Sequence, residues 1–209
     1  MKLPLILLLF GSLLIFSSCD LDEMSQVEPP DQVPNIESLK DSEKEDLLFL
    51  LEEEKLARDV YRFSYEKYGL PIFNNISNSE QKHMEAVITL LEKYQINYKP
   101  IQAPGTFQDS TLQNLYSTLT QSAKASLLVA LQVGANIEEL DIRDIQLMVS
   151  RTDKTDMLQV FERLSCGSGN HLRAYLSQIK TQGGNYEVQY LSLSEFEKIS
   201  QGDHEHCGS

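Results

Sequence analysis

Five side chains in this sequence are of types that bind metal ions and stand at spacings that bring them together: Glu54, Glu80, His83, Glu138 and His171. Glu80 and His83 lie three residues apart in a run whose apolar positions, Phe73, Ile76, Val87, Leu90, Leu91 and Tyr94, step by three or four. That step follows one face of an α-helix, so the carboxylate and the imidazole point into the interior that the apolar side chains fill. Facing inward together, they can hold one metal ion. The competing reading is a buried ion pair in an ordinary bundle. A lone Glu-x-x-His arises often by chance, so its meaning depends on the other helices.

Those helices can be read in order. Ser42-Glu43-Lys44-Glu45 has a capping-box pattern and opens a helix that runs to about Tyr68, with Gly69 as its stop. Glu54 falls on its apolar face between Leu51 and Ala57, whereas Glu52 and Glu53 turn to the sides as solvated charges. An unpaired carboxylate on that face is costly, which predicts a cation beside it. Pro71 starts the second helix after a short turn, so the first two helices should be antiparallel neighbours. Gln95 to Asp109 carries Pro100, Pro104 and Gly105, and a short amphipathic piece follows from Ser110 to about Thr120. A third long helix begins only near Ser122, which leaves a connection long enough to cross the bundle. Its inward face reads Leu127, Leu131, Gly134, Ala135, Glu138, Ile142, Ile145 and Met148, with Glu139 rotated aside and Asp141 one turn beyond Glu138. The fourth helix shows Phe161, Leu164, Ser168, His171, Tyr175 and Ile179 facing in. Gly167 and Gly169 cost about 1 kcal/mol each relative to Ala in a helix, which points to room needed near a site or to a bend. The expected fold is all-α: a four-helix bundle over residues 41–182 with a long crossover between helices two and three. A C-terminal extension and disordered tail span 183–209.

The N-terminus stands apart. Met1-Lys2 and the apolar run Leu3 to Phe16 have the layout of a secretory signal, and Ser17-Ser18-Cys19 resembles a bacterial lipobox, with Phe16 where an aliphatic residue is usual. Residues 1–18 are therefore expected to be removed and Cys19 lipidated. The acidic stretch 19–40, with Pro29, Pro30 and Pro34, reads as an extended tether. This places the domain in the bacterial cell envelope, outside the cytoplasm and anchored to a membrane. A net charge of −13 argues against nucleic acid as a partner. The three Cys form no Cys-x-x-Cys pattern; Cys166 reads as a buried small residue, and the tail His204-Glu205-His206-Cys207 as a weak metal scavenger.

With the helices marked, the chain resembles the ferritin-like superfamily. Glu54-Lys55-Leu56-Ala57-Arg58-Asp59-Val60-Tyr61 is similar to the first-helix pattern of rubrerythrins, and Glu80 to His83 to their second-helix Glu-x-x-His. Gly134 to Glu138 keeps one carboxylate of their third-helix pattern, and Ser168-Gly169-Asn170-His171 keeps the fourth-helix imidazole without its carboxylate. The stretches Glu53 to Tyr61, Ile137 to Ile142 and Asn170 to Ala174 look more closely like a bacterial and archaeal ferritin-like family of unknown function. The resemblance implies five ligands, Glu54, Glu80, His83, Glu138 and His171, with Asp141 as a candidate sixth. It implies an iron site, dinuclear or mononuclear, with manganese or zinc as alternatives, since carboxylate and imidazole without thiolate suit those ions. It leaves open whether the domain is an oxidase or peroxidase acting on ferrous ion, dioxygen or peroxide, a metal holder without turnover, or a structural bundle in which the inward Glu and His pair with each other and with Arg58 or Arg173. Turnover would need an external electron donor, and a homodimer is the assembly such bundles allow.

Overall fold

The computed structural model describes residues 38–208. The expected signal, Cys19 and most of the tether lie outside the described residues. Six helices follow in order: α1 (Asp41–Tyr68), α2 (Pro71–Lys93), α3 (Ser110–Ala123), α4 (Leu127–Val149), α5 (Thr155–Thr181) and α6 (Leu193–Ser200). The four long ones, α1, α2, α4 and α5, form the predicted bundle, so the all-α expectation holds. Among the described residues no helix is long and apolar enough to cross a membrane.

Side-chain contacts fix the directions. At one end, Arg151 beyond α4 pairs with Asp46 at 2.6 Å, and the Tyr94 hydroxyl donates to Asp156 at 2.7 Å. At the other end, the Tyr68 hydroxyl donates to the Ala123 carbonyl at 2.7 Å. The segment after α2 therefore leaves the first end and delivers α4 to the second, as the length of this connection predicts.

The crossover lies on the outer face of α1. Gly105 N–H donates to Asp59, Lys55 donates to the Ala103 and Thr106 carbonyls, and Glu52 accepts from Gln108 and Asp109 N–H. Residues 53–61 of α1 are consequently buried on all sides. This corrects the reading of Glu53 as a solvated side charge: it is 3% exposed. The start of α1 also shifts, since Glu43 rather than Glu45 accepts the capping N–H, from Lys40 at 2.7 Å.

Glu139 is likewise not a side position. It is fully buried and accepts from the Tyr186 hydroxyl at 2.5 Å and from Gln189 N–H at 2.9 Å, which clamps the C-terminal extension to α4. Nor is the tail loose. Cys166 and Cys207 form a disulfide across 41 residues. Asn170 and Glu205 exchange backbone and side-chain hydrogen bonds beside it. The sequence spacing had offered no pairing for either cysteine.

Two apolar clusters fill the bundle. One gathers Leu56, Val60, Tyr61, Phe73, Ile76, Leu172 and Tyr175; the other gathers Leu47, Leu51, Met84, Val87, Phe161 and Leu164. Along α1, α2 and α5 the polar inward residues fall between these two sets. The result is a polar layer between two apolar ones.

Candidate metal centre

The polar layer holds all five expected residues. Glu54, Glu80 and His83 form one group whose ligand atoms lie within 4.8 Å of one another, and Glu80, Glu138 and His171 form a second. Glu80 belongs to both. Its Oε2 is 2.8 Å from His83 Nδ1 and its Oε1 is 2.9 Å from His171 Nδ1. Each imidazole also meets a second carboxylate: Glu54 at 3.2 Å from His83, and Glu138 at 3.4 Å from His171. The rings stack with centroids 5.5 Å apart.

Asp141, the candidate sixth ligand, stands beside this pair of groups rather than in either. Its Oδ2 accepts from the Ser168 hydroxyl, while its Oδ1 has no hydrogen-bond partner. Ser168 thus occupies the place of the expected fourth-helix carboxylate and holds a carboxylate from α4 instead.

Burial sets the electrostatics. Desolvation pushes Glu53, Glu54 and Glu138 above the usual carboxylate range, and Asp141 up to about 7. Burial works on Glu80 in the same sense, yet the two imidazoles overcome it and hold that carboxylate below its ordinary value. Burial opposes charging of the imidazoles, but their carboxylate neighbours raise both, His171 to about 10. Four carboxyl groups, Glu54, Glu80, Glu138 and Asp141, thus share two imidazoles, with Glu53 against Asp141 behind them. Buried Oε1 of Glu54, Oε1 of Glu80 and Nδ1 of His171 make no hydrogen bond with suitable geometry, even where the separation is short. This surplus of unsatisfied ligand atoms is what a bound cation would complete.

The basic residues do not fill that role. Arg58 turns outward to Asp59 at 2.8 Å and to Gln81 at 2.7 Å, and Arg173 reaches the Ile199 carbonyl and Glu205. Of the structural alternative, the mutual Glu–His pairs are present, Glu54 and Glu80 with His83 and Glu80 and Glu138 with His171, whereas the arginine pairs are not.

Further contributors were not singled out by periodicity. Tyr61 is fully buried and donates from its hydroxyl to Glu138 Oε1 at 2.6 Å, and its ring packs on Tyr175 with centroids 5.3 Å apart. Its position seven residues after Glu54 was the available signal. Gly167 makes the room that its presence in a helix suggested: a Cβ there would stand 2.7 Å from His83 Nε2. Gly169 does not, because a Cβ there meets only ordinary contacts at 3.8 Å and beyond. Glu53 had no distinguishing signal, since its burial beside Asp141 and Asp144 depends on how α1 meets α4.

Residues 43–203 match the family described as "Uncharacterized protein domain (DUF2202)". The chain is similar to the uncharacterized protein MJ0754 of Methanocaldococcus jannaschii, an archaeon, at 45% identity over 163 residues, covering 77% of this chain and 88% of that protein. The crystal structure of the hypothetical protein MJ0754 superposes with a TM-score of 0.79 at 42% identity, covering 84% of this chain and all of the other.

Proposed function

This chain belongs to the DUF2202 family, and we propose that its bundle is a ferritin-like metal-binding domain whose carboxylate and histidine groups hold iron, or manganese, for reaction with ferrous ion, dioxygen or peroxide. The observation that carries the reading is Glu80, whose two oxygens each face an imidazole that is flanked by a further carboxylate. Glu54, Glu80 and His83 would hold one ion, and Glu80, Glu138 and His171 would hold a second. The unsatisfied atoms of Glu54, Glu80 and His171 are the test of fit, and oxygen with imidazole nitrogen is a donor set suited to iron or manganese.

A redox-active ion, if bound there, would supply electron transfer to dioxygen or peroxide. The protein's own residues do the rest. Tyr61 fixes the orientation of Glu138 through its hydroxyl, and Ser168 fixes that of Asp141. Apolar layers above and below restrict water. Asp141, with its carboxyl raised to about 7, can hold or release a proton next to the ligands near neutral pH. The reading without turnover, a metal-holding protein, shares every ligand and differs only in the chemistry that follows.

The domain is further proposed to work outside the cytoplasm, tethered through lipid at Cys19. The layout of residues 1–19 supports this, and so does the Cys166–Cys207 disulfide, a bond favoured in oxidising compartments. Replacing Cys19 with Ala should release the protein from membranes; unchanged fractionation would remove the idea. For the site, elemental analysis after anaerobic loading with ferrous iron should find near two ions per chain, falling to about one or fewer in His171→Ala. A wild type that binds neither iron nor manganese returns the cluster to a structural role.

A further inference from the structure

The disulfide stands in an unusual setting for a simple staple. Cys166 and Cys207 both line an open groove of about 1020 Å³ between α4, α5, α6 and the tail, with Phe161, Lys198 and Ile199 among its walls. Neither cysteine is fully buried. Asn170, one helical turn after Cys166, donates from Nδ2 to Cys207 Sγ at 3.1 Å. Arg173, a further turn along the same stripe, reaches Asn170 Oδ1 and Glu205. A hydrogen-bond donor beside a sulfur, with a guanidinium behind it, stabilises that sulfur as a thiolate and so as a leaving group.

We propose that Cys166–Cys207 is an exchangeable disulfide, opened in this groove by an external dithiol, and that its state decides whether the tail stays docked on α5. The exchange balances simply. A thiolate of the dithiol attacks Cys166 Sγ, the bond between the two cysteines breaks, and Cys207 departs as a thiolate held by the Asn170 N–H. The second thiol of the reagent then attacks the mixed disulfide, displacing Cys166 and closing the reagent's own disulfide. The protein gains two electrons and two protons, and the dithiol loses them. Opening frees Cys207 from the stripe of Cys166, Asn170 and Arg173. The same turn of α5 carries Gly167, against which His83 rests, and Ser168, which holds Asp141. The inference does not rest on metal binding, because the exchange can be followed in protein that holds no ion.

The experiment is native reduction of the full chain with dithiothreitol at a series of concentrations, with alkylation and peptide mapping at Cys166 and Cys207. Hydrogen exchange of the tail amides and far-UV circular dichroism are followed in parallel. The reduction rate should be proportional to dithiothreitol and about tenfold or more above the rate of global unfolding, with helicity kept and the Glu205 amide losing protection. Asn170→Asp keeps the oxygen that accepts from Glu205 N–H but places a carboxylate against the departing sulfur; exchange should slow by about threefold to tenfold. Reduction that proceeds only as fast as the chain unfolds, independent of dithiothreitol, makes the bond a structural staple and overturns the proposal. An Asn170→Asp rate equal to or faster than wild type overturns the assignment of Cys207 as the leaving sulfur.

Discussion

The two sides of α1 carry buried charge in opposite conditions. On its outer side Lys55 is 1% exposed, yet its ammonium meets Asp59 at 2.6 Å and two crossover carbonyls, and Asp59 in turn receives Arg58 and the Gly105 N–H. On its inner side Glu53 and Glu54 have carboxylate oxygens with no donor, Glu53 next to Asp141 and Asp144 and Glu54 next to Asp141 and Glu80. Both clusters are polar, buried and only a few residues apart. Only one is closed. Burial of charge therefore marks no site by itself; a surplus of unsatisfied acceptors does, because each costs free energy until a cation or proton arrives.

Removing one partner from each cluster should separate them most clearly. Asp59→Ala strands two buried cations and should destabilise the protein by about 3–5 kcal/mol in chemical denaturation, with metal content per folded chain unchanged. If the loss is under about 1 kcal/mol, the outer cluster is not closed as described. Glu53→Gln acts on the other cluster and should have the opposite sign. Glu53 meets the carboxylates of Asp141 and Asp144 and no cation, so a neutral group of the same shape should stabilise metal-free protein by about 1 kcal/mol or more at neutral pH.

Titration sharpens the same contrast. Asp141 rises from 3.8 in the unfolded chain to about 7 when folded, so its contribution favours folding below about pH 4 and is lost as pH climbs through about 7. Glu53, Glu54 and Glu138 shift in the same sense. Metal-free protein should therefore lose thermal stability between about pH 4 and about pH 7. With iron or manganese present the trend should reverse, since metal binding expels those protons and tightens as pH rises. A melting temperature that is flat across this window in metal-free protein would mean that the inner acids are already paired.

The smallest expected effect is a matched pair of glycines. Gly167→Ala sets a methyl 2.7 Å from His83 Nε2 and should weaken metal binding by about tenfold through displacement of that imidazole. Gly169→Ala meets no close neighbour and should instead stabilise α5 by about 0.5–1 kcal/mol. Equal effects of the two on metal affinity would place His83 outside the site.

Much of this was legible in the sequence where one element dictates its own facing. Glu54, Glu80, His83, Glu138 and His171 each sit on a helix whose apolar period fixes which way they point, and the structure brings all five together. Ser168 was legible only as an absence; that it would hold Asp141 depends on how α4 and α5 meet. Glu53 and Glu139 were not legible as buried because period alone marks one face as core, whereas α4 meets Glu53 and the C-terminal extension covers Glu139. The cysteine pairing was not legible, because 41 residues and a reversal of the chain separate the partners.

The division of the ligands between helices also bears on the order of assembly. Glu54, Glu80 and His83 all belong to the α1–α2 hairpin, so one complete three-residue group lies within 30 consecutive residues of chain. The second group needs α4 and α5, which arrive only after the crossover has travelled the length of the bundle. Local hairpins form faster than contacts that close long loops. If the proposed metal site is correct, a nascent chain would complete its first ligand group on a hairpin alone, and Glu80 would then be the point on which the second hairpin docks.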